Sequence, residues 1–176
     1  MFPYFYFRTP ATAICTILNP VISLIVAKFS KSLDTNLLAP FLLVQGLLKD
    51  LERAEGSIIN ISSIHARQTK PNFVAYATTK AALSGMTRAL AVELGPRARI
   101  NSIEPAAIDT PMLQEGFANA PSFYQQLENC HPQQRIGTPA EVARTALMLA
   151  GKDVRFIHGA CVTLDGGISA RLFDPE

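Results

Sequence analysis

The stretch S-I-I-N-I-S-S at residues 57–63, followed after twelve residues by Y-A-T-T-K at residues 76–80, decides the fold of this chain. The first stretch is a short run rich in β-branched residues, typical of a buried strand that ends at its paired serines. The second stretch opens an alanine-rich helix from about Phe73 to Leu94, which closes at Gly95-Pro96. A strand followed by a helix in this way favours an α/β fold with a parallel sheet.

The same alternation continues on both sides of this pair. Apolar residues at steps of three and four from Leu33 to Leu51 predict an amphipathic helix, which Pro40 is expected to interrupt. Strands are predicted at Arg99–Ile103 and Ala160–Leu164. A helix is predicted at 138–150, because a capping threonine, a proline and a returning glutamate stand at its start.

Composition restricts the possible functions. Of the 176 residues, 48% are apolar and 17% are charged, which suffices for one globular domain. The formal net charge of +2 is scattered without a basic run, so no nucleic-acid partner is expected. The three cysteines are odd in number, far apart and without metal-ligand spacing, and we interpret them as reduced thiols in the cytoplasm.

Residues 1–27 form an atypical apolar N-terminal segment. Its part from Thr9 to Ala27 carries no charge and is nearly long enough to span a bilayer, but Pro10 and Pro20 interrupt it. A membrane anchor is therefore not favoured. The alternative, a buried strand at about Thr12 to Leu18, is too short to be distinguished by its pattern.

Tyr76 and Lys80 form a candidate acid/base pair. They lie four residues apart at the start of the predicted helix, so both side chains project from one face. A phenol with a pKa of about 10 is a poor base, and a neighbouring ammonium favours its ionised form. Ser63, at the carboxyl end of a strand, is placed to hydrogen-bond a substrate oxygen. Without further context, an ordinary surface pair is the alternative interpretation.

Three motifs in order, I-I-N-I-S-S, Y-A-T-T-K-A-A-L and N-S-I-E-P-A-A-I-D-T-P-M, resemble the short-chain dehydrogenase/reductases. The resemblance covers roughly Lys28 to Leu172 and implies that residues 28–176 are the catalytic portion of a partial Rossmann-like, doubly wound domain. It implies that Tyr76 donates or accepts the proton. Lys80 is implied to lower the pKa of Tyr76 and to bind the nicotinamide ribose, and Ser63 to orient the carbonyl or hydroxyl group of a small substrate.

Asn36, in D-T-N-L, matches the fourth catalytic position of the family. Pro40 supports this match, because a proline inside a helix displaces the carbonyl four residues back, which here belongs to Asn36. That carbonyl is a candidate holder of a water in a proton relay to Lys80. A kink with a solvated carbonyl and no catalytic role is the alternative.

The stretch 105–137 is expected to be irregular and functional, since it is too long for a simple connector. In the family, the part that corresponds to Pro105–Thr110 contacts the nicotinamide, and Thr110 is implied to meet its carboxamide. The usual proline-glycine is Pro105-Ala106 here, which reduces backbone freedom. The expected cofactor-binding residues are Tyr76, Lys80, Pro105, Ala106, Ile108 and Thr110. The candidates for a substrate lid, or for ordinary packing of short helices, are Met112, Leu113, Phe117, Phe123 and Tyr124.

The family's glycine-rich phosphate-binding turn has no counterpart, because no glycine occurs before Gly46. The expected cofactor is NAD or NADP, and no residue of the sequence indicates which of the two is bound. Two hypotheses follow. The chain is an oxidoreductase for alcohols or carbonyl compounds, impaired by truncation, or it is a noncatalytic subunit that pairs with another chain. An unpaired edge of the strand at Ile58–Ile61 predicts a homo-oligomer or aggregation. A membrane-tethered variant, anchored through Thr9–Ala27, is a less favoured third hypothesis.

Overall fold

A computed structural model describes residues 26–118 and 120–172 of the chain. The helices are α1 (Val26–Leu33), α2 (Ala39–Arg53), α3 (Val74–Leu94), α4 (Pro111–Phe117), α5 (Pro121–Cys130) and α6 (Pro139–Ala150). The strands are β1 (Ser57–Ile61), β2 (Arg99–Pro105) and β3 (Cys161–Leu164). The strand suggested at Thr12–Leu18 lies outside the described residues.

The described strands form one parallel sheet in the order β1-β2-β3. Ser57 of β1 lies opposite Arg99 of β2, and Ser102 of β2 lies opposite Cys161 of β3. Helices connect the strands, as parallel pairing requires. The α/β class predicted from the alternation of strands and helices is therefore confirmed.

Helices cover both faces of the sheet. On one face, Ile100 of β2 packs with Ala91 and Leu94 of α3. The neighbouring Arg99 instead donates to the carbonyl of Leu149 near the end of α6, at 2.9 Å. Because successive side chains of a strand point to opposite faces, α3 and α6 lie on opposite sides of β2. The arrangement is that of a doubly wound sheet.

The segment around Pro40 differs from the sequence expectation. Helix continues from α1 through a π-helical turn at Asp34–Leu38 into α2, so Pro40 does not interrupt it. In the π turn, the amide of Ala39 donates to the carbonyl of Asp34, five residues back. Pro40 then stands in the first turn of α2, where its missing N–H is tolerated. The wider turn, rather than a break, accommodates the proline.

The stretch 105–137 is also more regular than expected, since it contains α4 and α5. Each helix begins with a proline, and the Thr110 hydroxyl caps α4 by accepting from the amide of Leu113. The predicted capping box at Thr138 and Glu141 is present at the start of α6. Within residues 26–118 and 120–172, none of the helices combines the length and the hydropathy that a bilayer crossing requires.

His158 joins the sheet to α3 where β3 does not yet reach. Its Nδ1 accepts from the amide of Ile100 at 3.1 Å, and its Nε2 lies 2.8 Å from the carbonyl oxygen of Ala91. Since the carbonyl only accepts, Nε2 carries the hydrogen. One imidazole ring thus satisfies a strand amide and a helix carbonyl.

We predict that His158→Ala lowers the free energy of unfolding by about 1–3 kcal/mol, because it leaves the buried amide of Ile100 without an acceptor. The carbonyl of Ala91 loses one of its two donors and keeps the amide of Gly95. Urea unfolding followed by circular dichroism measures the change, with the exposed Lys152→Ala as the control. A loss no larger than that of the control would contradict the role of His158.

Candidate active site at the carboxyl ends of the strands

Ser63 is held at the end of β1 by the turn that follows. Its backbone is extended, and its Oγ accepts from the amide of His65 at 3.2 Å, which caps the short helical turn Ile64–Ala66. The side chain is buried. Ser63 therefore has a fixed position beside the start of α3, where Tyr76 lies.

Tyr76 and Lys80 are both buried on α3, which excludes an ordinary surface pair. The Lys80 Nζ donates to the carbonyl of Ile61 at 2.8 Å and lies 5.7 Å from the centre of the Tyr76 ring. The ammonium is thus fixed between the end of β1 and the phenol. Its position comes from the four-residue spacing on one helix together with the carbonyl supplied by the strand.

Burial dominates the ionisation of both groups. It lowers the pKa of the Lys80 ammonium to about 8. It raises the pKa of the Tyr76 phenol, and a hydrogen bond with Ser63 offsets only part of that rise. The expectation that Lys80 depresses the pKa of Tyr76 differs from this result. Desolvation of the Tyr76 phenol outweighs any attraction between its phenolate and the Lys80 ammonium, and the hydrogen bond with Ser63 is the contact that favours the phenolate.

Asn36 lies in the π turn and faces α3. Its Nδ2 donates to the Thr79 hydroxyl at 3.1 Å, and that hydroxyl donates to the carbonyl of Tyr76 at 2.8 Å. Asn36 and Lys80 also line the same cavity of about 590 Å³, together with residues of β1 and α2. The structure therefore brings Asn36, Ser63, Tyr76 and Lys80 together around the end of β1.

The candidate nicotinamide stretch follows β2 at the same edge of the sheet. Pro105 is the last residue of β2, and the amide of Ala106 donates to the carbonyl of Leu164 at the end of β3. Ile108 forms an isolated parallel bridge with Gly137. Thr110 uses its hydroxyl to cap α4. These residues lie next to the strand ends, and their contact with a cofactor remains a prediction.

The lid candidates lie on α4 and α5. Phe117 and Tyr124 meet edge to face with their ring centres 6.0 Å apart, and the Tyr124 hydroxyl donates to Asp109 at 3.1 Å. Met112 and Phe123 are exposed. Phe117 and Tyr124 therefore pack against each other between the two helices, whereas Met112 and Phe123 present apolar side chains at the surface.

Sequence reasoning missed a buried polar network behind the site. The Ser84 hydroxyl donates to the fully buried Glu104 carboxylate at 2.8 Å and lies 2.8 Å from the Ser62 hydroxyl. Ser62 donates to the carbonyl of Lys80 at 3.0 Å. The Nε of Arg67 lies 3.0 Å from the other oxygen of Glu104. The glutamate within strand β2 was the available signal, since buried charges are rare unless they are paired.

His65 also belongs to the site. Its ring stacks on Phe73 with centroids 4.5 Å apart and meets the Tyr76 ring edge to face at 5.7 Å. Burial and, to a smaller extent, Lys70 lower the pKa of His65. His65 is thus half-buried beside Tyr76 rather than fully solvated in its loop. Among the described residues, no cluster of metal-ligating side chains occurs.

The model of the enoyl-(acyl carrier protein) reductase family matches residues 10–169 of the chain, so the match extends into the N-terminal segment. The FixR protein of Bradyrhizobium diazoefficiens is 41% identical over 135 residues, which are 75% of this chain and 46% of FixR. The 2,5-dichloro-2,5-cyclohexadiene-1,4-diol dehydrogenase of Sphingobium indicum is 32% identical over 154 residues, which are 86% of this chain and 62% of that enzyme.

Solved structures agree with the fold. The 4-hydroxyisoleucine dehydrogenase complexed with NADH has a TM-score of 0.83 and 31% identity, over 89% of this chain and 65% of that one. ElxO with NADP bound has a TM-score of 0.80 and 30% identity, over 87% of this chain and 62% of that one. The chain thus spans 46% and 62% of the length of the two curated relatives.

We predict that the free energy of unfolding rises between about pH 8 and about pH 10, because Lys80 has released its proton in the folded chain and retains it in the unfolded one. The unfolded state binds more protons in this window, so raising the pH favours folding. Urea unfolding of the wild type and of Lys80→Met across the window measures the effect, which should be smaller in the variant. Equal pH slopes for the two proteins would rule out a depressed pKa at Lys80.

Proposed function

Because the chain belongs to the short-chain dehydrogenase/reductase family, to which the matching enoyl-(acyl carrier protein) reductase model belongs, we propose that it is an NAD(P)-dependent oxidoreductase. The proposed reaction interconverts a small alcohol and its carbonyl compound. The observation that carries the proposal is the buried grouping of Ser63, Tyr76 and Lys80, in which the Lys80 Nζ is fixed by the carbonyl of Ile61 at 2.8 Å.

Each residue has a proposed role. The bound nicotinamide supplies or accepts the hydride. The Tyr76 hydroxyl gives its proton to the carbonyl oxygen during reduction and takes it back during oxidation. Ser63 hydrogen-bonds the same oxygen and, through its bond to Tyr76, stabilises the phenolate. Lys80 places a positive charge beside the phenol and contacts the ribose. Asn36 orients α3 through Thr79. Its backbone carbonyl is the proposed holder of a water in a proton relay to Lys80.

We propose that the described residues hold the nicotinamide half of the cofactor. The cavity of about 590 Å³ next to Asn36 and Lys80 offers polar groups for a ribose, and the stretch Pro105–Thr110 borders the same end of the sheet. The sequence contains no glycine before Gly46 that would form a phosphate-binding turn. We therefore propose that these 176 residues alone bind NAD or NADP weakly. The relatives bind both forms, with NADH in one complex and NADP in another, and give no choice between them.

We predict a dissociation constant of about 1 mM or weaker for NADH and for NADPH with this chain, because the helix amino terminus that normally binds the pyrophosphate is missing from its sequence. Isothermal titration calorimetry measures the affinity.

Under cofactor saturation, a panel of alcohols and carbonyl compounds tests turnover, and Tyr76→Phe should lower kcat by about 10²–10⁴. Micromolar affinity would refute weak binding, and full activity of Tyr76→Phe would refute the proposed mechanism.

The second candidate function is a noncatalytic subunit that pairs with another copy or a related chain. It is favoured by the outer edge of β1, which no described strand covers, and by Leu42 and Leu43 of α2, which are exposed. We propose a homo-oligomer for either function. Absence of turnover by a chain with bound cofactor would favour the noncatalytic subunit. The described thiols, Cys130 and Cys161, are free, which supports the proposal of a cytoplasmic, reducing compartment.

We predict that the chain sediments as a dimer or larger species, because apolar side chains exposed on a helix favour association. Leu42→Glu should shift the distribution toward monomer, since it places a charge on that surface. Gln45→Glu adds the same charge to α2 without removing an apolar side chain and serves as the control. A wild-type monomer in sedimentation velocity would contradict the prediction.

A further inference from the structure

An ion pair lies next to the candidate active site, and none of the proposed catalytic steps uses it. Arg67 directly follows the short helical turn Ile64–Ala66, and its Nε lies 3.0 Å from Oε2 of Glu104 in β2. Glu104 directly precedes Pro105, where the candidate nicotinamide stretch begins. The pair therefore joins the segment after β1 to the end of β2.

The two partners differ sharply in exposure. The side chain of Arg67 is 59% exposed, whereas that of Glu104 is 1% exposed. Oε2 of Glu104 has no hydrogen-bond partner among the described residues, so its contact with Arg67 is an attraction between charges. A buried carboxylate that loses its counter-charge is strongly destabilised, which does not apply to a pair exposed on both sides. The guanidinium is therefore held at this position more firmly than its own exposure suggests.

The Arg67 side of the pair leads to Ser63. The amide of Arg67 donates to the carbonyl of Ile64 at 3.0 Å, and the amide of His65 donates to the Ser63 hydroxyl at 3.2 Å. The turn that Arg67 closes is thus built on Ser63. Nη2 of Arg67 also donates to the carbonyl of Cys161 in β3 at 3.4 Å. One side chain therefore ties the turn that holds Ser63 to both neighbouring strands.

The Glu104 side of the pair leads to the helix that carries Tyr76. The other carboxylate oxygen of Glu104 accepts from the Ser84 hydroxyl of α3 at 2.8 Å. That hydroxyl lies 2.8 Å from the hydroxyl of Ser62, which donates to the carbonyl of Lys80 at 3.0 Å. Lys80 lies one helical turn after Tyr76. The carboxylate is therefore linked to the part of α3 from which the phenol projects.

The two sides of the pair meet at the hydrogen bond between Ser63 and Tyr76. This bond opposes the rise in the pKa of the Tyr76 phenol that burial causes. Its length depends on how the turn after β1 lies against α3, and the ion pair connects these two elements. Because catalytic groups are sensitive to small displacements, a loosened contact here is expected to slow the reaction.

We propose that Arg67 and Glu104 are positioning residues, which set the hydrogen bond between Ser63 and Tyr76 by holding the turn after β1 against α3. The inference rests on the proposed function, in which this hydrogen bond stabilises the phenolate. The alternative is an ion pair that stabilises the fold without affecting the bond, and the experiment must separate the two.

Carbon NMR of the tyrosine ring carbon that bears the hydroxyl tests the proposal, since its resonance responds to the hydrogen bonding of that hydroxyl. The chain has four tyrosines, and the resonance lost in Tyr76→Phe assigns the one that matters. At pH 7, Arg67→Gln should move this resonance in the same direction as Ser63→Ala. Arg88→Gln is the matched control, because Arg88 is also exposed and contacts Cys161, and it should leave the resonance in place.

Two double variants identify the route of the effect. In a Ser63→Ala background, Arg67→Gln should move the Tyr76 resonance no further, because the bond through which Arg67 acts is already lost. Glu104→Gln keeps an oxygen acceptor for Ser84 and removes the charge. Its combination with Arg67→Gln should therefore have no larger effect than either change alone, since both break one contact. If Arg67→Gln does not fold, Arg67→Lys takes its place, because it keeps the charge without the planar guanidinium.

An unmoved Tyr76 resonance in folded Arg67→Gln would overturn the proposal and identify an ion pair that serves stability alone. A shift that persists unchanged in the Ser63→Ala background would also overturn it, since the effect would then bypass Ser63.

Turnover gives a second readout. With cofactor and a substrate present, Arg67→Gln should lower kcat about fivefold or more, in line with the weakening of one hydrogen bond, and change KM less. The NMR measurements need neither NAD(P) nor turnover. The expected shifts in a protein that transfers no hydride would therefore count against the proposed function alone, and turnover with an unmoved resonance would count against the positioning role alone.

Discussion

The site depends on one buried serine, Ser62, which joins two strands and a helix. Its amide donates to the carbonyl of Ile103 in β2, and its hydroxyl contacts both the carbonyl of Lys80 and the hydroxyl of Ser84 in α3. Ser62 directly precedes Ser63, so these contacts fix the end of β1 against the helix that carries Tyr76. Glu104 completes the junction by accepting from Ser84. The other oxygen of Glu104 lies 3.0 Å from Nε of Arg67, so the buried carboxylate has an opposite charge beside it.

The same burial that holds the site rigid also sets its electrostatics. Lys80 is desolvated, so its pKa falls to about 8, and its Nζ donates to the carbonyl of Ile61. Burial raises the pKa of the neighbouring Tyr76 phenol. Both groups are thus shifted toward their neutral forms. A hydrogen-bond acceptor or an anionic group of a ligand next to Lys80 would favour the ammonium and, through it, the phenolate.

The sequence predicted the elements whose signals are local. Strand β1, helix α3 and the capping box of α6 each show composition, periodicity or caps within a few residues, and all three are present. The π turn around Asn36 was not predictable in this way, because it depends on how the backbone accommodates Pro40 and on the packing of Asn36 against Thr79. Helices α4 and α5 were expected only as an alternative, in the form of short helices within an irregular stretch. Their apolar residues are few; a capping threonine and a proline mark the beginning of α4, and a single proline marks that of α5.

The charged residue Glu104 within β2 indicates the position of the site more directly than the hydrophobic pattern of that strand does. Glu104 lies on β2 at the contact between that strand and α3. An apolar residue there would pack equally well against a generic helix, but it would leave the Ser84 hydroxyl without its carboxylate acceptor. The polar chain Glu104, Ser84, Ser62 therefore specifies one register of α3 against the sheet. That register fixes Lys80 opposite Ile61, and the geometry of the candidate active site follows from it.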